Sequence, residues 1–195
     1  AGRKNLIING GFDVWQRGSS FVTPTTNAYT ADRAGTFNPA PNTFTRSTDV
    51  PNGQFKYSLA GECATVNTTA GELHIPLRIK VEGTNFLPSA WGLTDGKSLT
   101  LSFYMKSSKT GVYSAAITNL AQSHSYAIEW DVTAAWQKFT FTIPKPPTGT
   151  WELGTALLGL DLQFGWGNGS TYKTATADGV WDVGIQFSTT NQVSF

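Results

Sequence analysis

Two imidazoles, thirteen carboxylates and one thiol bound the acid–base and nucleophilic chemistry open to this chain. A hydrolytic triad needs a nucleophile, a base and an orienting acid within hydrogen-bond reach, and the only imidazole bases are His74 and His124. His74 falls on the polar side of an alternating segment, and His124 sits in Gln122-Ser123-His124-Ser125, which reads as a turn; both are expected to be ordinary surface histidines. G-x-S-x-G, H-E-x-x-H and D-x-[DN]-x-[DN]-G are absent. Gly92-Leu93-Thr94-Asp95-Gly96-Lys97-Ser98 has the outline of a phosphate loop, but Trp91 stands where the motif needs its first glycine and a strand follows instead of a helix.

Paired carboxylates across a cleft do glycosidase chemistry. Glu129 and Asp131 share one side of a strand and Asp178 and Asp182 flank Trp181, spacings that a solvated strand face produces as readily. No cofactor is implied, although a calcium site assembled from separate strands leaves no local spacing to read. Cys63 stands alone, which excludes an intrachain disulfide and a Cys-based zinc site and marks it as a small buried hydrophobe. Asn67-Thr68-Thr69 and Asn168-Gly169-Ser170 are formal glycosylation sequons, expected to be unused because Leu6-Ile7-Ile8 is too short for a signal-peptide apolar region.

The remaining chemical signal is aromatic. Seven Trp in 195 residues exceed what one core requires, and a sugar-binding surface needs flat rings on which a pyranose C–H face packs, with amides nearby for its hydroxyls. Trp136, Trp15, Trp130 and Trp181 lie in or beside apolar strand patterns and are expected to be core, while Trp151 follows a turn and is open. Trp166 and Tyr172 bracket the loop Gly167-Asn168-Gly169-Ser170-Thr171, and Trp91 sits in Pro88-Ser89-Ala90-Trp91-Gly92. Trp91, Trp166, Asn168 and Tyr172 are therefore the expected glycan contacts, with a loop Trp folded back as a lid on the core as the alternative.

These residues must be positioned by strands. No segment holds helical apolar spacing over three turns, whereas Leu73 to Glu82 alternates without a slip, and Pro76 marks it as an edge. Period-two runs recur at Leu99 to Met105, Tyr126 to Trp130, Phe139 to Ile143, Leu158 to Phe164 and Trp181 to Phe187, and Leu6 to Ile8 is read as an opening strand. Gly, Pro and Asn clusters punctuate them, and residues 22 to 53 read as long loops or short edge strands. The expectation is one all-β domain over residues 1–195, a two-sheet antiparallel sandwich.

Charged residues are 14% of the chain, against ~25% in ordinary soluble domains, and the net charge is +1. That argues against nucleic acid as a partner. Thr110 to Ile128, the longest uncharged stretch, is broken by polar residues and does not read as a membrane span. Ala at position 1 suggests a piece of a longer protein.

Gly2-Arg3-Lys4-Asn5-Leu6-Ile7-Ile8-Asn9-Gly10-Gly11-Phe12-Asp13-Val14-Trp15-Gln16-Arg17-Gly18, followed by Tyr29-Thr30-Ala31-Asp32-Arg33, resembles the opening of carbohydrate-binding-module-like domains in bacteriophage tail fibres and related virion appendages. Gly96 to Ser108 and Ala135 to Pro144 resemble two inner strands of the same module in the same order. The resemblance implies a galactose-binding-like jelly roll in a homotrimeric external appendage of the virion, with other tail or fibre subunits and host-surface glycan as partners. It carries no catalytic residues. Two departures stand out: Ala34-Gly35 follows Arg33 where the family has Trp, and the family's closing strand beyond Phe195 is either missing from this stretch or supplied by a neighbour covering the edge at Asn5 to Ile8. The expected function is non-enzymatic glycan binding during adsorption, the alternative is a structural spacer, trimerisation or docking unit, and a depolymerase ranks third.

Overall fold

The computed structural model describes residues 5–22, 24, 27–37, 42–63, 70–71, 73–174 and 179–193. The sequon at Asn67 and the acid Asp178 lie outside these residues. Strands follow in the order β1 (Ser20–Val22), β2 (Ala34–Phe37), β3 (Asn42–Ser47), β4 (Ser58–Cys63) and β5 (Ile75–Glu82). A single helical turn, α1 (Gly83–Phe86), leads to β6 (Leu99–Met105), β7 (Gly111–Thr118), β8 (His124–Val132), β9 (Gln137–Ile143) and β10 (Leu158–Gly165). Short strands β11 (Lys173–Thr174), β12 (Trp181–Val183) and β13 (Ser188–Thr189) complete the set.

The fold is an all-β antiparallel sandwich. Its larger sheet runs β12-β8-β7-β10-β5-β2, and the remaining strands form the sheet β1-β3-β4 and the pairs β6-β9 and β11-β13, the last of which is parallel. Alternation sets the register: Leu99 faces Ile143, Leu101 faces Phe141 and Phe103 faces Phe139, so the two apolar runs share one side. That side meets the inner face of the large sheet, where the Phe103 ring lies 4.9 Å from Trp130 and 5.1 Å from Phe164. Ile79, Val81, Ile117, Ile128, Leu160 and Leu162 fill the space between.

Several expectations are corrected. Leu6 to Ile8 form no strand: Asn9 adopts φ 58° and the Phe12 N–H returns to its carbonyl, so the chain turns while Leu6 and Ile7 pack against the core by their side chains. The edge expected at Asn5 to Ile8 is therefore not there. β5 is interior, flanked by β10 and β2, and Pro76 is tolerated because it lies one residue beyond the last β10 pair, Leu77 with Phe164. His74 is buried, with its backbone clamped by the 166–168 loop. His124 opens β8 instead of lying in a turn, its ring between Ser123 and Thr148.

Trp136 is not core, since its indole donates to Asp49 at 2.9 Å and Lys106 lies over its ring. Trp15 packs at the periphery, stacked on Phe21. The last run ends at Val183, because Gly184 takes φ 107°.

The outer face of the large sheet was not legible as such. Ser114, Thr118, Ser125, Asp161 and Gln163 are all buried there. The 184–193 segment closes over Ser114 and Ser125: Ser125 Oγ donates to Gly184 O, and the backbone N–H groups of Gln186 and Thr189 donate to Ser125 and Ser114. Buried hydroxyls held this way are satisfied, so the sheet tolerates small polar residues where the sandwich pattern calls for exposure.

Candidate functional site

The expected glycan contacts divide on burial. Trp91 has no exposure at all; it sits with ring centroids 5.3 Å from Phe86, 4.9 Å from Trp151 and 5.5 Å from Trp181, all edge-on. Its loop turns inward because Gly92 takes φ +79°, and a Cβ there would stand 2.7 Å from the Trp151 ring. Asn168 is 2% exposed and accepts the His74 N–H at 2.8 Å. Neither side chain presents a surface to a sugar, which corrects both expectations.

Trp166 and Tyr172 are half-buried. Trp166 stacks on Phe44 and lies over Gly61, where a Cβ would stand 2.3 Å from the indole. Tyr172 packs against Phe187. The loop therefore folds back as a lid over the sheet end, and the four residues do not converge on an open pocket.

An open concavity lies elsewhere, at the β5–β2 end of the large sheet. A cleft of about 180 Å³ is lined by Tyr29, Arg33, Lys80, Glu82, Ala156 and Leu158. A narrow crevice bounded by Asn27, Gly35, Thr36 and Arg78 continues it past the same Tyr29, Arg33 and Lys80.

Each wall has a local cause. On one side, Asn9 and Asp32 clasp the amino-terminal segment to the turn before β2. Asn9 Nδ2 donates to Val14 O at 3.0 Å and to Asp32 O at 2.8 Å, Asn9 Oδ1 accepts the Val14 N–H, and Asp32 accepts the Gln16 N–H at 2.7 Å. The turn closes with Ala34 N–H on Ala31 O and holds Arg33 at φ 68°, a strained conformation for a side-chain-bearing residue. Arg33 then reaches Glu82 at 3.3 Å. Tyr29, 39% exposed, lies under the Arg17 guanidinium at 5.3 Å, with its ring edge over Gly35. The opposite wall is set by α1, whose Gly83 and Thr84 N–H groups take the Leu157 and Thr155 carbonyls and bring Ala156 and Leu158 beside β5.

The floor is electrostatic. Asp161 is fully buried, directly opposite Lys80 across the β10–β5 ladder, and accepts Arg78 Nε at 3.0 and 2.7 Å as well as Nη2. Burial pushes the Asp161 carboxyl above the usual carboxylate range, with Arg78 pulling it back. The forked contact favours its charged form. Arg78 also meets Asn27 at 3.3 Å and stacks over Phe37, so its guanidinium is occupied by the protein itself. Burial, and then the charge of Arg78, lower the Lys80 pKa below its ordinary value.

The other acids do not assemble. Glu129 accepts Asn191, Asp131 is exposed, and Asp182 accepts Thr174. Among the described residues no three His, Cys, Asp or Glu side chains group as metal ligands, and no helix is long and apolar enough to cross a membrane. No protein-family model and no curated protein matches the chain.

Sequence reasoning missed this cleft. Tyr29 and Arg33 lie in the segment that carries the family resemblance, and Arg78 and Lys80 occupy the polar positions of the most regular alternating run. The missing signal is the pairing of β2 with β5, which brings them together across a gap of more than forty residues.

Proposed function

We propose that this chain is a non-enzymatic, carbohydrate-binding module of a bacteriophage tail fibre or comparable virion appendage, engaging host-surface glycan at the Tyr29–Lys80 cleft. The observation that carries the reading is the cleft itself: a half-exposed aromatic ring beside a pocket with room for one sugar ring, edged by the hydrogen-bonding side chains of Arg33, Lys80 and Glu82. A shallow site of this kind binds weakly alone, and a homotrimer repeated over several fibres adds roughly 10² to 10⁴ in avidity. The sandwich fold and the amino-terminal resemblance point the same way, toward a jelly-roll module.

Glycan-array and whole-cell binding by the purified chain in its native oligomeric state, beside Tyr29→Ala, tests it. Binding by the wild-type chain that falls about tenfold in the variant, the loss of one contact worth ~1.4 kcal/mol, supports the reading. Binding to no glycan and no cell overturns it.

A structural docking or trimerisation role is favoured by a separate observation. β12 is the outer strand of the large sheet, and Val183 on it is 82% exposed with Val180 and Ile185 nearby. Val183→Lys converting an oligomer to monomers in light scattering is the expected mark of that role.

A further inference from the structure

Three cations and two carboxylates surround the cleft and its crevice. Arg78 is held by Asp161, and Arg33 by Glu82. Lys80 differs: it lines both the cleft and the crevice, and no ion pair or hydrogen bond engages its ammonium among the described residues. Three cations against two carboxylates therefore leave one positive charge in excess, carried by Lys80, an exposed side chain whose ammonium partial burial and Arg78 disfavour and Asp161, opposite it, favours. A ligand anion relieves that imbalance.

We infer that the cleft selects sugars bearing a carboxylate, with Lys80 receiving the anion; this deepens, and rests on, the reading of the cleft as a carbohydrate site. The volume, about 180 Å³, is below the ~300–1,000 Å³ of pockets for drug-sized ligands and suits a single ring. Tyr29 and Leu158 offer apolar surface to the C–H face of that ring. One excess charge matches a monoanion, whereas a phosphate monoester carries about −1.5 to −2 at neutral pH and overshoots it. Arg33 pairs with Glu82 at the surface, a weak contact from which its guanidinium can also reach the same carboxylate.

The test is titration calorimetry with the methyl glycosides of glucuronate, galacturonate and N-acetylneuraminate against methyl glucoside and galactoside, with acetate and inorganic phosphate as anion controls. The wild-type chain is expected to bind at least one acidic glycoside about tenfold tighter than the neutral ones. Lys80→Gln, checked for an unchanged melting temperature, is expected to bring the affinity for the acidic glycoside down to that for the neutral ones, and Lys80→Arg to retain the difference. Equal affinity for acidic and neutral glycosides, or a preference that survives Lys80→Gln, overturns charge selection and leaves the carbohydrate site standing. Acetate or phosphate binding as tightly as every acidic glycoside, or no glycoside binding at all, overturns the carbohydrate site and the selection together.

Discussion

The side-chain amide of Asn9 donates to the backbone carbonyl of Asp32 at 2.8 Å, joining the amino-terminal turn to the loop that holds Arg33. Asn9 also brackets Val14 with two further bonds and sits at φ 58°, a conformation that costs Asn less than Ala. Asn9→Ala is expected to cost about 2–3 kcal/mol, from lost hydrogen bonds and backbone strain together. Asn9→Gly keeps the backbone and should cost about 1–2 kcal/mol. Urea unfolding midpoints of the two variants separate the contributions.

Arg78 and Asp161 form a pair with side-chain exposures of 11% and 0%. Asp161→Leu alone strands a buried guanidinium and is expected to cost about 3–5 kcal/mol, whereas Arg78→Met with Asp161→Leu recovers most of it. A double-mutant cycle by chemical denaturation reads the coupling, and additive losses would contradict it.

Trp91 separates stability from binding. Trp91→Ala empties the centre of the Phe86, Trp151 and Trp181 cluster and is expected to cost about 3–5 kcal/mol. Tyr29→Ala removes a half-exposed ring and should stay within about 1 kcal/mol of wild type. Thermal unfolding of the two variants makes the comparison, and equal losses would show that Tyr29 is structural.

Tyr113 carries the clearest pH signature. Burial pushes its phenol up to about 12 although its hydroxyl lies 2.6 Å from Ser107 Oγ. Above pH 10 the unfolded chain releases this proton and the folded chain keeps it, so the contribution to stability is whole below pH 10 and is lost as pH rises through about 12. Denaturation at pH 9 and pH 11.5 should show a smaller loss for Tyr113→Phe than for wild type.

Strand type was legible wherever one face is apolar and the other wet. The alternating runs Leu99 to Met105 and Phe139 to Ile143 match β6 and β9 within two residues of their bounds, and the two strands pair with each other. β7 escaped because both its faces are buried and one is built of Ser114, Ala116 and Thr118, leaving no alternation to see. The aromatic loops misled for a related reason. A turn signal says where the chain reverses but not whether the ring beside it points in, and at Trp91 the Gly92 conformation points it in. The cleft depends on β2 pairing with β5 and on the Asn9–Asp32 clasp, contacts between segments distant in sequence.

The central claim is that glycan enters the Tyr29–Lys80 cleft. Amide chemical-shift mapping of the isotopically labelled chain, titrated with polysaccharide from a host surface to which it binds, tests this most directly. The account predicts shifts concentrated at Tyr29, Arg33, Lys80, Glu82 and Leu158. Shifts confined to Trp166 and Tyr172, or to the β12 edge, would contradict it.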